Sequence, residues 1–320
     1  MATQQSTPAA PAAAGGINAR AQSGFAKSSA YDAHRPTYSS SIVQLLLEKI
    51  EVSGNKLARI VDLAAGTGKF TEALAARDEE FEIIAVEPHL DMRNVLSSKK
   101  LPRVKVVEGT GERMEGVESG SVDAVVVAQG FHWFSNMTAL KEIHRVMARH
   151  SALGLVWNVE DYNNARNHKA STAWEARLHD LTWKISEEVG DVEPRFRHMQ
   201  WRKVFDEQVK KTPLSLLIAS DDQLFSLPIA EEQEPFEVTL SVESLWNRYS
   251  TLGHIAALEK EHRERVHKTF MEIVSAPEVE KNEAGEVAVH GNTYAVWTTK
   301  IPAEGRTGSQ TLDDVERAAE

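Results

Sequence analysis

Between Ser41 and Trp157 short apolar runs alternate with helical stretches, and this alternation limits the possible folds more tightly than any other feature of the chain. "SIVQLLLEKI" has a helical apolar face, while "ARIVDL", "FEIIAVE", "RVKVVE", "VDAVVVA" and "ALGLVW" are strand-length runs, several of them rich in Val and Ile. Before the last of these, "NMTALKEIHRVMARH" sets Leu140, Ile143, Val146 and Met147 on one helical stripe. Strands joined through helices run parallel with right-handed crossovers, so the expectation is an α/β fold built on a doubly wound, mostly parallel sheet. In such a sheet a ligand sits beyond the carboxyl ends of the strands, near the switch point. Asp62, Glu87 and Gln129 fall at those ends.

After Trp157 the rhythm breaks. Residues 158–212 carry three tryptophans, many charges and helical signals without a clear strand, which predicts a helical substrate cap inserted over the sheet edge. "EVAVHGNTYAVWTTK" reads as a hairpin or bent strand about Gly291-Asn292 that closes the sheet at its edge. The expected organisation is a disordered leader over 1–24, a cofactor-binding core over 25–157, the cap over 158–212, a C-terminal part over 213–301 that completes sheet and substrate site, and a flexible tail over 302–320. The leader is acid-poor up to Asp32, a composition that also suits a transit peptide.

The stretch "IVDLAAGTGKFTEALA" is a strand, a small-residue turn and a helix, a layout shared by several nucleotide-binding families. A P-loop is excluded: the position five before Gly68 is Leu63, and Lys69 is followed by Phe70 where a hydroxyl is required. A dinucleotide fingerprint would follow Gly66 and Gly68 with a small residue for close helix packing, and here Thr71 stands there. A nucleoside without phosphates asks only for small residues that let backbone approach, Ala64, Gly66 and Gly68, and for an acid after the next strand to accept both ribose hydroxyls. Glu87, twenty-one positions beyond Gly66, meets that requirement. These residues alone leave a methyltransferase and a nicotinamide oxidoreductase both open.

In order and spacing, "IVDLAAGTGKFTEAL", "IIAVEPHLDMRNVL", "VVEGTGERM" and "SVDAVVVAQGFHWF" resemble successive motifs of the class I S-adenosylmethionine-dependent methyltransferases, in particular the trans-aconitate methyltransferase-like branch. "FAKSSAYDAHRPTYSSSIVQLL", "WRKVFD" and "RYSTLGHIAAL" extend the similarity to roughly residues 25–300. The resemblance implies a Rossmann-like core that binds S-adenosyl-L-methionine. It places Asp62 at the ammonium end of that cofactor, Glu87 at the ribose, Thr110, Gly111 and Glu112 along the adenine, and Tyr31 and Arg35 in a segment folded over it. Two departures stand out: Ala64 where many of these proteins have Gly, and Gly111 where Ala is usual before the acid.

An amide at Gln129 both donates and accepts at the methionine end. Phe131, His132 and Trp133 then fall where cofactor meets substrate, with Phe134 read as packing. His132 is the candidate catalytic residue, as a base toward a substrate nucleophile or as a loop-orienting group. Arg197, with Arg195, His198 and Arg202, is a candidate for holding substrate carboxylates. The expected activity is methyl transfer to a small molecule, most simply a carboxylate or other oxygen nucleophile. A non-catalytic S-adenosylmethionine-binding regulator is the alternative.

Composition narrows the partners. A formal charge of −11 disfavours nucleic acid, whose phosphates need clustered Lys and Arg. No run approaches eighteen apolar residues, so no membrane partner is expected. With no cysteine the chain has neither thiolate nucleophile nor thiolate metal site, and no metal is expected from its scattered histidines; His262 and His267 are five apart rather than at helical ligand spacing. The sequence reading is a cytoplasmic monomer or homodimer acting on a small molecule.

Overall fold

The N-terminal end of the first helix is set by Ser39, whose hydroxyl accepts the Ile42 N–H at 3.2 Å. This helix, α1 (Ser40–Lys49), buries Ile42, Val43, Leu46 and Leu47 on one stripe. The computed structural model of the chain describes residues 37–209 and 223–302. From α1 the chain runs through β1 (Arg59–Leu63), α2 (Lys69–Ala75), β2 (Glu82–Val86), α3 (Leu90–Ser98), β3 (Val104–Val107), β4 (Val122–Ala128), α4 (Met137–Val146) and β5 (Met147–Glu160). Beyond these lie α5 (Ala173–Glu188), α6 (Lys203–Asp206), β6 (Ala230–Leu240), α7 (Val242–Tyr249), α8 (Gly253–Ala256), α9 (Lys260–Val274) and β7 (Val287–Thr299).

The seven strands form one sheet in the order β3-β2-β1-β4-β5-β7-β6. The first five are parallel and β7 runs antiparallel to both β5 and β6. The α/β, doubly wound, mostly parallel architecture expected from the alternation is therefore the observed one. Order reverses between β1 and β4, so the crevice beyond Leu63 and Ala128 is the switch point.

Period-two alternation splits the strands between two cores. Ile60, Ile83, Ala124, Val126 and Val156 face α1 and α2, whereas Val61, Leu63, Val125, Val127 and Leu155 face α4 and the aromatic residues of the cap. A third core joins α5 to α7–α9 and to Val287 and Val289 of β7. Residues 162–185 thus share their hydrophobic support with the segment 242–289. Among the described residues no helix is long and apolar enough to cross a membrane.

Two C-terminal elements differ from the sequence reading. "AEEQEPFEVTL" is an eleven-residue strand, β6, that carries no apolar alternation strong enough to mark it. It is an edge strand, and its acids meet cations of neighbouring elements: Glu231 with Arg202 and Glu232 with Lys49, both at 2.7 Å. Gly291-Asn292 is not a hairpin turn, because β7 continues through it without a break in register, and β7 lies inside the sheet between β5 and β6 rather than at its edge. A Cβ on Gly291 would lie 2.5 Å from the Val159 carbonyl oxygen and 2.5 Å from the Phe236 ring, so glycine serves close strand approach there.

Candidate functional site

As β1 ends, the backbone enters the left-handed region three times in five residues: Ala64 at φ +58°, Gly66 at +59° and Gly68 at +91°. The turn is pinned to β2, since Ala65 N–H donates to the Val86 carbonyl at 3.1 Å and Gly66 N–H to Glu87 Oε2 at 2.8 Å. Glu87 is 5% exposed, and its other oxygen accepts the His89 N–H at 2.8 Å. Burial pushes its carboxyl up while these two N–H donors pull it back down. Arg93 fixes the peptide behind it, donating from Nη1 to the carbonyls of Glu87 at 2.9 Å and Pro88 at 2.6 Å, and from Nη2 to Glu108 at 2.9 Å.

Asp62 is fully buried. Thr71, on α2, donates its hydroxyl to Asp62 Oδ2 at 2.6 Å, and Oδ1 is a buried acceptor with no partner. Burial pushes the Asp62 carboxyl up to about 7; the Thr71 bond opposes this and the nearby charge of Glu87 reinforces it.

Beyond β3, Thr110 and Arg113 exchange backbone hydrogen bonds at 2.9 and 3.1 Å, and the Thr110 hydroxyl is buried without a partner. The Phe134 ring occupies the space that a Cβ on Gly111 would need, which accounts for glycine where alanine is usual in the resembling family. Glu112 accepts from the Asn136 amide at 2.9 Å, the same residue that caps α4. Beyond β4, Gln129 takes a left-handed φ of +63° and donates from Nε2 to the Asn158 carbonyl at 3.0 Å. The following 3-10 turn, Phe131–Trp133, buries Phe131 and leaves His132 and Trp133 half-buried. His132 Nδ1 accepts from the Trp157 indole at 3.2 Å.

The strand ends therefore bring Asp62, Ala64, Gly66, Gly68, Glu87, Gln129, Phe131, His132 and Trp133 to one end of the sheet, with Thr110, Gly111 and Glu112 beside them at the β3 exit. Tyr31 and Arg35 lie outside the described residues, which begin at Thr37; its carbonyl accepts from the Asn158 amide at 3.1 Å. Arg197 sits in the turn Phe196–His198 that follows α5. It is 3% exposed and donates to Asn163, Ser186 and Asp191, each at 3.1 Å, and desolvation, with Arg195 next to it, pushes its guanidinium down to about 10. Arg195 is the cap cation nearer the strand ends. It holds Asp191 through two bonds at 2.6 and 3.0 Å, and its guanidinium lies 5.8 Å from the Trp133 ring centre. Arg202 pairs with Glu231, and His198 bonds the Glu193 carbonyl.

Three contributors escaped the sequence reading. In the sequence Thr71 stands out for its bulk and not for its hydroxyl; Arg93 sits on a helix face with no motif of its own; Trp157 reads as the end of an apolar strand. Only Trp157 carried a signal, an indole N–H that needs an acceptor when buried.

Ala64 is more than an added methyl. A non-glycine residue in left-handed backbone carries a strain of roughly 1–2 kcal/mol, and a Cβ on Gly130 would lie 3.0 Å from the Ala64 Cβ. Gly130→Ala is expected to lower stability by about 1–2 kcal/mol through overpacking. In an Ala64→Gly background most of that loss should disappear. A double-mutant cycle of thermal unfolding measures the coupling.

The comparisons with known proteins bear on this geometry. Residues 61–154 match a methyltransferase domain family. The chain is 30% identical over 275 residues to an uncharacterized methyltransferase-like protein of Schizosaccharomyces pombe, covering 86% of this chain and 94% of that one. An uncharacterized methyltransferase of Mycobacterium tuberculosis is 38% identical over 132 residues, 41% of this chain and 50% of its own. A solved structure of a candidate type II methyltransferase from Anaeromyxobacter dehalogenans, 18% identical, has the same fold with a TM-score of 0.53 over 84% of this chain and 98% of its own. With a relative of that similarity aligned over nearly its full length, and a sheet that ends two buried acids at its switch point, the chain belongs to the class I S-adenosylmethionine-dependent methyltransferases.

Proposed function

We propose that this enzyme methylates a carboxylate oxygen of a small molecule, using S-adenosyl-L-methionine held by the residues of the switch point. The observation that carries the cofactor half is the state of Glu87. A carboxylate offers about four acceptor positions; two are filled by Gly66 and His89, so two remain for a pair of ribose hydroxyls. The orphaned Oδ1 of Asp62 fits the ammonium of the methionine portion, directly or through a water. The buried Thr110 hydroxyl fits a base edge, and Gln129 lies toward the reacting end.

When bound, the cofactor supplies a methyl carbon on a sulfonium: the acceptor oxygen bonds to that carbon, the carbon–sulfur bond breaks with its electron pair on sulfur, and a methyl ester and S-adenosylhomocysteine result. An anion meeting a cation loses charge along this path, so alignment and exclusion of water contribute most. The 3-10 turn after β4 supplies alignment. Its Phe131 is anchored in the core against Phe134 and Phe205, at centroid distances of 5.7 and 5.6 Å. The cap covers it through Phe196 and Trp201, which pack on Trp157 at 5.1 and 4.6 Å.

Support for a carboxylate acceptor comes from Arg195 beside Trp133, with Arg197 behind it. These two cations share the single carboxylate of Asp191, which leaves positive charge near the reacting end. The resemblance to the trans-aconitate methyltransferase-like branch points the same way, and the net charge of −11 favours a small molecule over nucleic acid. The test is transfer of a labelled methyl group to benzoate, succinate and propane-1,2,3-tricarboxylate, with catechol, 2-mercaptoethanol and benzylamine as competitors for the reading. Base-labile methyl esters are expected. Label appearing only on the alcohol, thiol or amine overturns the carboxylate, and binding of S-adenosylhomocysteine without any transfer supports a regulator.

A further inference from the structure

The bond between Trp157 and His132 fixes more than a ring orientation. An indole nitrogen donates and never accepts. The Trp157 ring cannot turn away, because it is fully buried and packed against both Phe196 and Trp201. Its N–H meets His132 Nδ1 at 3.2 Å, so Nδ1 must present a lone pair, and in the neutral imidazole the proton resides on Nε2. A ring with its only lone pair committed to an indole has no basic nitrogen left to receive a proton from a substrate.

We propose that His132 is a hydrogen-bond donor to an anionic acceptor, with Nε2–H gripping one oxygen of the substrate carboxylate while the other oxygen attacks, and that Trp157 is the positioning residue that sets this tautomer. This rests on the carboxylate reading above and adds the role and protonation state of one group. The placement supports it. His132 is two residues beyond Gly130, which abuts Ala64 of the β1 turn, and one residue beyond the buried anchor Phe131. Trp133, whose ring is tilted against the imidazole at a centroid distance of 5.2 Å, also has the Arg195 guanidinium 5.8 Å from its ring centre. A neutral donor and a nearby cation suit a carboxylate that arrives ionised; neither removes a proton, and carboxylate alkylation needs none removed.

Because acceptor charge falls in the transition state, a bond from His132 is strongest before reaction and acts mainly on substrate binding and aim. His132→Ala is therefore expected to raise KM for the carboxylate roughly ten- to a hundredfold, the range for a hydrogen bond to a charged group, with a smaller fall in kcat. His132→Gln, which keeps an N–H donor, should recover most of the loss. A general base would give the opposite split: kcat falling about 10²–10⁴-fold in both variants alike.

The experiment combines these kinetics with long-range 15N–1H NMR of the histidine rings in the full chain at pH 7.5, and with S-adenosylhomocysteine titration to show that each variant is folded. A proton on Nε2 in wild type, and tautomer mixing in Trp157→Phe, are expected. A proton on Nδ1, or kinetic loss confined to kcat and not recovered by Gln, overturns the proposal. Failure of the carboxylate reading looks different: wild type would esterify none of the three acids, whatever tautomer the spectrum shows, and the donor role would fall with it.

Discussion

Glu87→Gln is expected to weaken S-adenosylhomocysteine binding at least about a hundredfold. Two hydroxyl hydrogen bonds to a carboxylate, each stronger than a neutral pair by a factor of about two, would be exchanged for bonds to an amide with a single acceptor oxygen. The local frame makes the loss larger. Glu87 receives N–H donors on both oxygens, from Gly66 and from His89, so the amide NH2 of glutamine must face one of them, donor against donor. Nor can the side chain turn away easily, since the residue is nearly enclosed and Arg93 grips the Glu87 and Pro88 carbonyls behind it. Calorimetric titration reads the affinity, and thermal unfolding without ligand separates it from damage to the turn. An affinity within threefold of wild type, in a folded variant, would remove Glu87 from the ribose and with it the proposed cofactor pose.

How much of this site was legible in the sequence depended on where the information sits. Acids at strand ends and glycines at left-handed positions are local consequences of chain direction, so Asp62, Gly66, Gly68 and Glu87 could be read from spacing alone. The partners of those residues come from elsewhere in the chain. Thr71 meets Asp62 because α2 folds back on β1, and Trp157 meets His132 because β5 lies beside β4. Neither pairing has a period or a spacing. The same limit hid β6: an edge strand whose outward residues are glutamates bonded to distant lysine and arginine looks like a solvated loop until its neighbour β7 is in place. At Gly291 the turn chemistry of Gly-Asn misled, because glycine answers equally to a turn and to two strands pressed together, and only the register distinguishes them. Arg197 is the reverse case: its charge suggested a substrate contact, and the fold gives it three partners that no spacing in the sequence announces.

Asp62→Asn is expected to make the ligand-free protein more stable at pH 8 and less able to bind its cofactor. The carboxyl ionises near 3.8 in the unfolded chain and near 7 in the folded one, chiefly because it is buried. Between about pH 4 and pH 7 the folded protein therefore holds a proton that the unfolded chain has released, and stability falls as pH rises through that window. At about 1.4 kcal/mol per pH unit the full penalty above pH 7 is about 4 kcal/mol. Asparagine does not ionise, still accepts the Thr71 hydroxyl, and leaves a buried NH2 group, with its two N–H donors, unpaired at a cost of about 1–3 kcal/mol. The net gain at pH 8 is then on the order of 2 kcal/mol. Urea unfolding should show the advantage of the variant growing by about 3 kcal/mol from pH 5 to pH 8. Saturating S-adenosylhomocysteine should reverse the order, because a ligand that binds only the folded state stabilises it by an amount that grows with the logarithm of its affinity, and the ammonium would meet a charge in wild type and none in the variant. A pH-independent difference would show that Asp62 is not the strained acid, and equal stabilisation of both proteins by the ligand would show that the ammonium lies elsewhere. The reversal is the physical reason for keeping such a residue: a carboxylate denied water and given one hydroxyl is poorly satisfied alone, and a cationic ligand relieves it.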